Sequence, residues 1–246
     1  MIHISHLPFD VALVFFFNKF CGSSIFLDNL LLIFLSVDAL RTAILVSLVV
    51  GIWSYGKVKK DINSSKRVLF ILFSIIFTLA IIEVLNALIN SPRPIVSYSE
   101  SINAPLLGEE TKELWKSAWV RNPKHNAFPS DTIALLSTMA VGLFLWNKTI
   151  GIFAFIFVIL TGVIPRLYFG LHYPSDMLCG IIISFASSIF IERIKFFNKL
   201  GEKLLKIENK FPYFFGTIGF YISYIISDKF ILLRKLPIWI KVMLGN

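Results

Sequence analysis

Five stretches of the chain run apolar almost without a break: 40–55, 68–89, 132–146, 150–167 and 177–191. Alone or with its flanks, each approaches the roughly 20 residues that a helix needs to cross a bilayer. The first and third are short and must borrow flanking residues. A weaker sixth run covers 215–226, and it is expected either to span or to re-enter the membrane. Ahead of them, 8–20 is apolar but broken by Asp10, Asn18 and Lys19, which predicts a helix lying in the membrane interface. The pattern therefore predicts an all-α, polytopic membrane bundle of five to six transmembrane helices with an N-terminal interfacial helix.

Charge orients this bundle. "KVKKDINSSKR" follows the first run, Lys148 separates the third from the fourth, and "ERIKFFNKLGEKLLKIENK" follows the fifth. These connections fall on one side, which the positive-inside rule makes cytoplasmic. The connections 90–131 and 169–176 then face outward, and the first, long and mixed in charge, is expected to be a folded external loop. In the tail 229–246, basic residues sit on the outward side if the sixth run spans, so either that run re-enters or the tail lies flat on a membrane surface.

Composition agrees with the pattern. The 246 residues are 56% hydrophobic and only 16% charged, with mean hydropathy +0.76, whereas soluble domains are about 45–50% apolar and about 25% charged. The net charge of +9 belongs to topology rather than to nucleic acid, because no soluble basic face remains once the apolar runs are removed. Cys21 and Cys179 fit no metal or redox spacing and are expected to be small packed residues. No cleavable leader is read at the N-terminus. His3 and His6 are expected to be solvated.

The candidate chemistry gathers at the outward ends of the runs. "SPRPIV" closes the second, "AFPSDT" opens the third, and "PRLYFGLHYPSD" joins the fourth to the fifth. Proline ahead of Ser-Asp starts a helix well, because its missing N–H is an orphan there in any case. Ser130 and Ser175 are expected as N-caps. Helix N-termini present free N–H groups and partial positive charge, which suits phosphate, and Arg93 and Arg166 add guanidinium forks. Asp176, four residues after His172, is placed to reach the imidazole, fix its tautomer and leave the other nitrogen free to attack phosphorus. The set describes phosphoryl transfer without a metal or cofactor. Bland readings stand beside it: Arg93 as a headgroup anchor, Asp131 as a dipole partner, and His125 as an ordinary loop residue.

"PRP" at 92–94, "FPSD" at 128–131 and the stretch from Arg166 to Asp176 resemble the three signatures of the type 2 phosphatidic acid phosphatase superfamily. The resemblance covers about residues 10–195. It implies a membrane phosphatase domain over 1–210, with 211–246 as a C-terminal hydrophobic and amphipathic extension. It further implies that His172 is the nucleophile, that Asp176 orients it, and that Arg93, Ser130 and Arg166 hold phosphate beside Asp131 and Thr132. The undecaprenyl-diphosphate phosphatases of the bacitracin-resistance type resemble the chain best, which implies a bacterial cytoplasmic membrane and a site facing the periplasmic or extracellular side.

Two departures bear on mechanism. Asn86 stands where the first signature usually has lysine, and Thr132 where the second usually has its general-acid histidine. A diphosphate ester tolerates the second loss, because a departing phosphate, with a second pKa near about 6, is far less basic than an alkoxide. Alternatively His125 or a protonated Asp131 supplies the proton. The expected substrate is thus a polyprenyl (undecaprenyl) diphosphate. The alternatives are phosphatidate, phosphatidylglycerophosphate or lipid A, or a catalytically dead relative that only binds phospholipid. Partners are the lipid substrate and membrane lipids.

Overall fold

A computed structural model describes residues 2–3, 6–107 and 126–228. Helix α1 (Pro8–Asn18) and helix α2 (Ile25–Ser36) precede the long helices α3 (Asp38–Lys59) and α4 (Ile62–Leu88). A single turn, α5 (Pro94–Ser97), follows, then α6 (Asp131–Trp146) and α7 (Lys148–Tyr168), whose middle Ile159–Val163 is π-helical. Helices α8 (Pro174–Arg193), α9 (Lys195–Lys210) and α10 (Pro212–Ser227) complete the order. Two short strands, β1 (Ile2–His3) and β2 (Ile89–Asn90), pair in parallel.

The starts of these helices follow from local chemistry. Asp61 accepts from the Asn63 N–H at 3.0 Å and Asn147 from the Ile150 N–H at 3.1 Å, capping α4 and α7. Proline opens α1, α5, α8 and α10, where its lost donor costs nothing. Lys60 ends α3 in the left-handed region, with φ 54°.

Among the described residues, α3, α4, α7 and α8 are long and apolar enough to cross a membrane by themselves. The chain is an integral membrane protein. Helix α6 is only 16 residues long and does not borrow the flank the sequence suggested. It is instead the axis of the bundle: every residue from Thr132 to Leu143 is buried, packed by α4, α7 and α8. A helix apolar all round belongs inside a bundle, shielded from lipid. The sixth apolar run becomes α10. It returns from the end of α3 where Lys57 pairs with Glu208 to the first turn of α3, where the Thr42 hydroxyl donates to the Ser227 carbonyl at 2.5 Å. It therefore runs the length of α3 rather than re-entering. The tail 229–246 lies outside the described residues.

The N-terminal region holds a helix, α2, that the sequence pattern does not announce, and polar residues of α1 turn inward. Asp10 and Asn18 are buried. Asp10 accepts from the Ser175 N–H at 3.0 Å, and Asn18 donates to the Tyr168 carbonyl at 2.9 Å. From α2, the fully buried Asp28 accepts from the Tyr168 hydroxyl at 2.5 Å and the Leu106 N–H at 2.7 Å. Both helices thus buttress the end of α7, next to the loop that carries His172.

Candidate active site

Backbone hydrogen bonds join the three polar stretches at one end of the bundle. The Ile95 N–H donates to the Gly170 carbonyl at 2.7 Å, tying the first to the third. The Ala127 N–H donates to the Ser91 carbonyl at 2.8 Å, tying the second to the first, and the Ser130 N–H reaches the Asp176 carbonyl at 3.2 Å. Two glycines permit this. Gly170 holds φ +63°, a conformation that disfavours side chains. Gly180 lets α8 approach α6 so closely that a Cβ there would lie 3.0 Å from the Ser130 carbonyl. One turn on, the Ser184 hydroxyl donates to the Ala134 carbonyl at 2.8 Å. Small residues bring the two N-termini together.

His172 is buried between them. Its Nδ1 lies 2.8 Å from the Ala127 carbonyl, an acceptor only, so Nδ1 carries the proton and Nε2 keeps its lone pair. Asp176 contributes differently from the sequence expectation. Its Oδ2 is 3.7 Å from Nδ1, within charge–charge reach but beyond a hydrogen bond, and accepts instead from the Tyr173 N–H at 2.8 Å. Tautomer selection therefore rests on the Ala127 carbonyl, while Asp176 anchors the loop and supplies a fixed negative charge. Burial holds the imidazole below the usual histidine value; Asp176 opposes, and Arg93 and Arg166 push the same way as burial.

Arg93 and Arg166 both act on His172, and both are buried. Arg166 donates from Nη1 to the Gly162 carbonyl at 2.8 Å, one turn earlier in α7, while its buried Nη2 has no hydrogen-bond partner among the described residues. Ser130 occupies the N-cap position of α6 without capping it; its hydroxyl is buried and likewise without a partner. Buried polar atoms are nearly always paired in folded proteins, so two such atoms at one convergence point mark a place for a ligand. The charge of Asp131 acts on Arg93, Arg166 and Arg41. Its Oδ1 accepts from the Thr132 N–H at 2.6 Å and the Thr132 hydroxyl at 3.1 Å, so Thr132 is turned toward Asp131.

Other expectations resolve here. Ser175 is not an N-cap; Tyr173 takes that position and Ser175 lies inside α8. His6 is not a solvated side chain: its Nε2 lies 2.8 Å from the Ser91 hydroxyl, and its ring stacks on Tyr173 with centroids 3.4 Å apart. Asn86 accepts from Asn126 through its backbone and side-chain oxygens, at 3.3 Å each, holding the second stretch against the end of α4. The possible proton donor His125 lies outside the described residues, as do Trp115 and Trp119. Arg41, which the sequence reading passed over, lies at the same end, fully buried in α3.

Comparison with known proteins adds three findings. A profile of the PAP2 superfamily matches residues 67–200, a span holding Arg93, Ser130, Arg166, His172 and Asp176. The bacitracin transport permease protein BcrC of Bacillus licheniformis is 25% identical over 96 residues, which are 35% of this chain and 47% of BcrC. The chain thus matches about half the length of that curated relative. The crystal structure of Aquifex aeolicus LpxE aligns at TM-score 0.55 and 23% identity, covering 77% of this chain and 98% of that one, a likeness of fold.

Proposed function

The chain belongs to the PAP2 superfamily, and on that premise we propose that it is a metal-independent membrane lipid phosphatase acting on a polyprenyl diphosphate, undecaprenyl diphosphate in a bacterial cytoplasmic membrane. The observation that carries this reading is the engagement of His172 Nδ1 by the Ala127 carbonyl, which leaves Nε2 as a neutral nucleophile among guanidiniums. Nε2 attacks the terminal phosphorus and the P–O bond to the bridging oxygen breaks. The electron pair leaves with that oxygen as polyprenyl phosphate. Water then attacks the phosphohistidine, releasing inorganic phosphate and regenerating the imidazole.

Arg93, Arg166, the Ser130 hydroxyl and the N-terminus of α6 hold the transferring oxygens. This provides without a metal the positive charge that phosphoryl transfer needs. Thr132 is no acid, and the substrate's own leaving phosphate lessens the need for one. The basic residues at the opposite end, among them Lys57, Lys59, Lys60 and Lys148, support a site facing the periplasmic or extracellular side.

Purified protein in excess chelator is expected to release phosphate from undecaprenyl diphosphate, with rates on phosphatidate, phosphatidylglycerophosphate and lipid A measured alongside. His172→Ala brings the rate to background, and acid-quenched wild type retains a labelled phosphohistidine. An unchanged rate in that variant, or an absolute need for a divalent ion, ends the proposal.

A further inference from the structure

Arg41 has no place in the three signature stretches and lies outside the matched span 67–200. It sits in the first turn of α3, at the outward end, and is fully buried. Its Nη2 pairs with Asp38, one turn earlier. Nε and Nη1 are buried with no hydrogen-bond partner among the described residues. An arginine inside a membrane bundle is costly and is retained there for function more often than for packing. A purely structural ion pair would use more of the guanidinium fork than one nitrogen.

Its position relative to the other charges is informative. The charges acting on His172 are those of Arg93, Arg166 and Asp176. Arg41 acts on Arg166, and Asp131 acts on Arg41. Arg41 does so from α3, which packs against α6, the helix that Ser130 and Asp131 open. Two cations beside the nucleophile suit one phosphoryl group. A third, displaced from the nucleophile and with two nitrogens uncommitted, suits a second group linked to the first.

We propose that Arg41 is the residue that selects a diphosphate: it grips the lipid-linked phosphate while Arg93 and Arg166 hold the terminal one. The inference rests on the phosphatase reading above and deepens it. As the bridging P–O bond breaks, negative charge collects on the departing polyprenyl phosphate, and the Arg41 guanidinium neutralises it. A fixed cation at the leaving group thereby replaces the proton that a histidine at Thr132 would deliver.

The test uses full-length protein in detergent. Arg41→Gln lowers kcat/KM on undecaprenyl diphosphate about 10²-fold, the scale of losing one transition-state donor, and on undecaprenyl phosphate by less than about threefold. Arg41→Lys, which keeps the charge, restores part of the diphosphate rate. Equal losses on the two lipids overturn the proposal.

Binding to the unaltered protein reads the same subsite without a variant. Inorganic pyrophosphate binds at least about tenfold more tightly than orthophosphate, as expected for added charge-assisted hydrogen bonds; equal affinity overturns the proposal. Protein that prefers pyrophosphate but hydrolyses neither lipid supports the Arg41 subsite and defeats the phosphatase reading. Protein that hydrolyses lipid with no pyrophosphate preference does the reverse.

Discussion

The two ends of the bundle handle charge in opposite ways. At the lysine-rich end cations meet anions on neighbouring helices: Lys57 with Glu208, Lys66 with Glu202 at 2.9 Å, and Arg67 with Glu192 at 2.6 Å. The carboxylates of the last two pairs stay in reach of water, with side-chain exposures of 56% and 34%. At the end that carries His172, Arg41, Arg93, Arg166 and His172 are all buried, and donor atoms of Arg41 and Arg166 have no hydrogen-bond partner among the described residues. Pairs at a surface stabilise little and are easily replaced. Buried donors held without acceptors cost stability and make sense where a ligand supplies the acceptor. The first arrangement orients and staples helices; the second is built to receive an anion.

Breaking the binding end at Arg166 gives the largest effect after loss of His172. Arg166→Gln is expected to lower kcat about 10²–10³-fold, as removal of one transition-state donor does, with the protein still monodisperse in detergent. Steady-state phosphate release measures it, and a loss under about threefold sinks the role given to Arg166. Ser130→Ala follows. A hydrogen bond to a charged group is worth about 1.5–3 kcal/mol, so activity falls roughly tenfold or more. Because the hydroxyl has no partner among the described residues, thermal stability holds or rises. A fall in melting temperature together with unchanged activity would make Ser130 a structural residue instead.

The sequence displayed one end of the molecule better than the other, and the reason is locality. The apolar runs of α4, α7 and α8 are continuous, and proline and Ser-Asp mark helix starts, so the bundle and the meeting of Arg93, Arg166 and His172 were legible. Contacts made across the fold were not. Asp10 reads as an interruption of an apolar stretch and Asp28 gives no signal, yet Asp10 accepts a hydrogen bond from the Ser175 N–H and Asp28 from the Tyr168 hydroxyl and the Leu106 N–H, beside the site. Arg41 read as nothing, because only packing puts the first turn of α3 beside Arg166. The Ala127 carbonyl carries no side-chain signal, although it is the acceptor for His172 Nδ1. Helix α6 read as a short span because twelve buried positions in a row look the same whether lipid or protein surrounds them.

The pH profile sharpens the account of His172 with a smaller effect. Burial holds its pKa below the ordinary histidine value near 6.5, and the nucleophile works unprotonated. The rate on a fixed lipid therefore stays level as pH falls to about 6.5 and declines only below the depressed pKa, tenfold per unit. Arg166 lowers that pKa and Asp176 raises it. Residual activity in Arg166→Gln consequently shows its acid limb at higher pH than wild type, and Asp176→Asn shows it at lower pH. Limbs that move the opposite way would show that the titrating group is not His172.

The smallest effect belongs to the lysine-rich end, and it tests the comparison from the other side. Arg67 and Glu192 join α4 to α8 at 2.6 Å with side chains 17% and 34% exposed, so solvent screens much of their attraction. Arg67→Gln is expected to change stability by about 1 kcal/mol or less, and to leave kcat/KM within about twofold of wild type, since its partner Glu192 lies at the end of α8 remote from His172. Glu192→Gln should match it, and the double variant should be no worse than either alone by more than a few tenths of a kcal/mol, as members of one weak pair behave. A large loss of activity in Arg67→Gln would mean that the pairs at the lysine-rich end transmit to the site around His172 through α4. The division between a stapling end and a binding end would then be wrong, because one helix would be serving both.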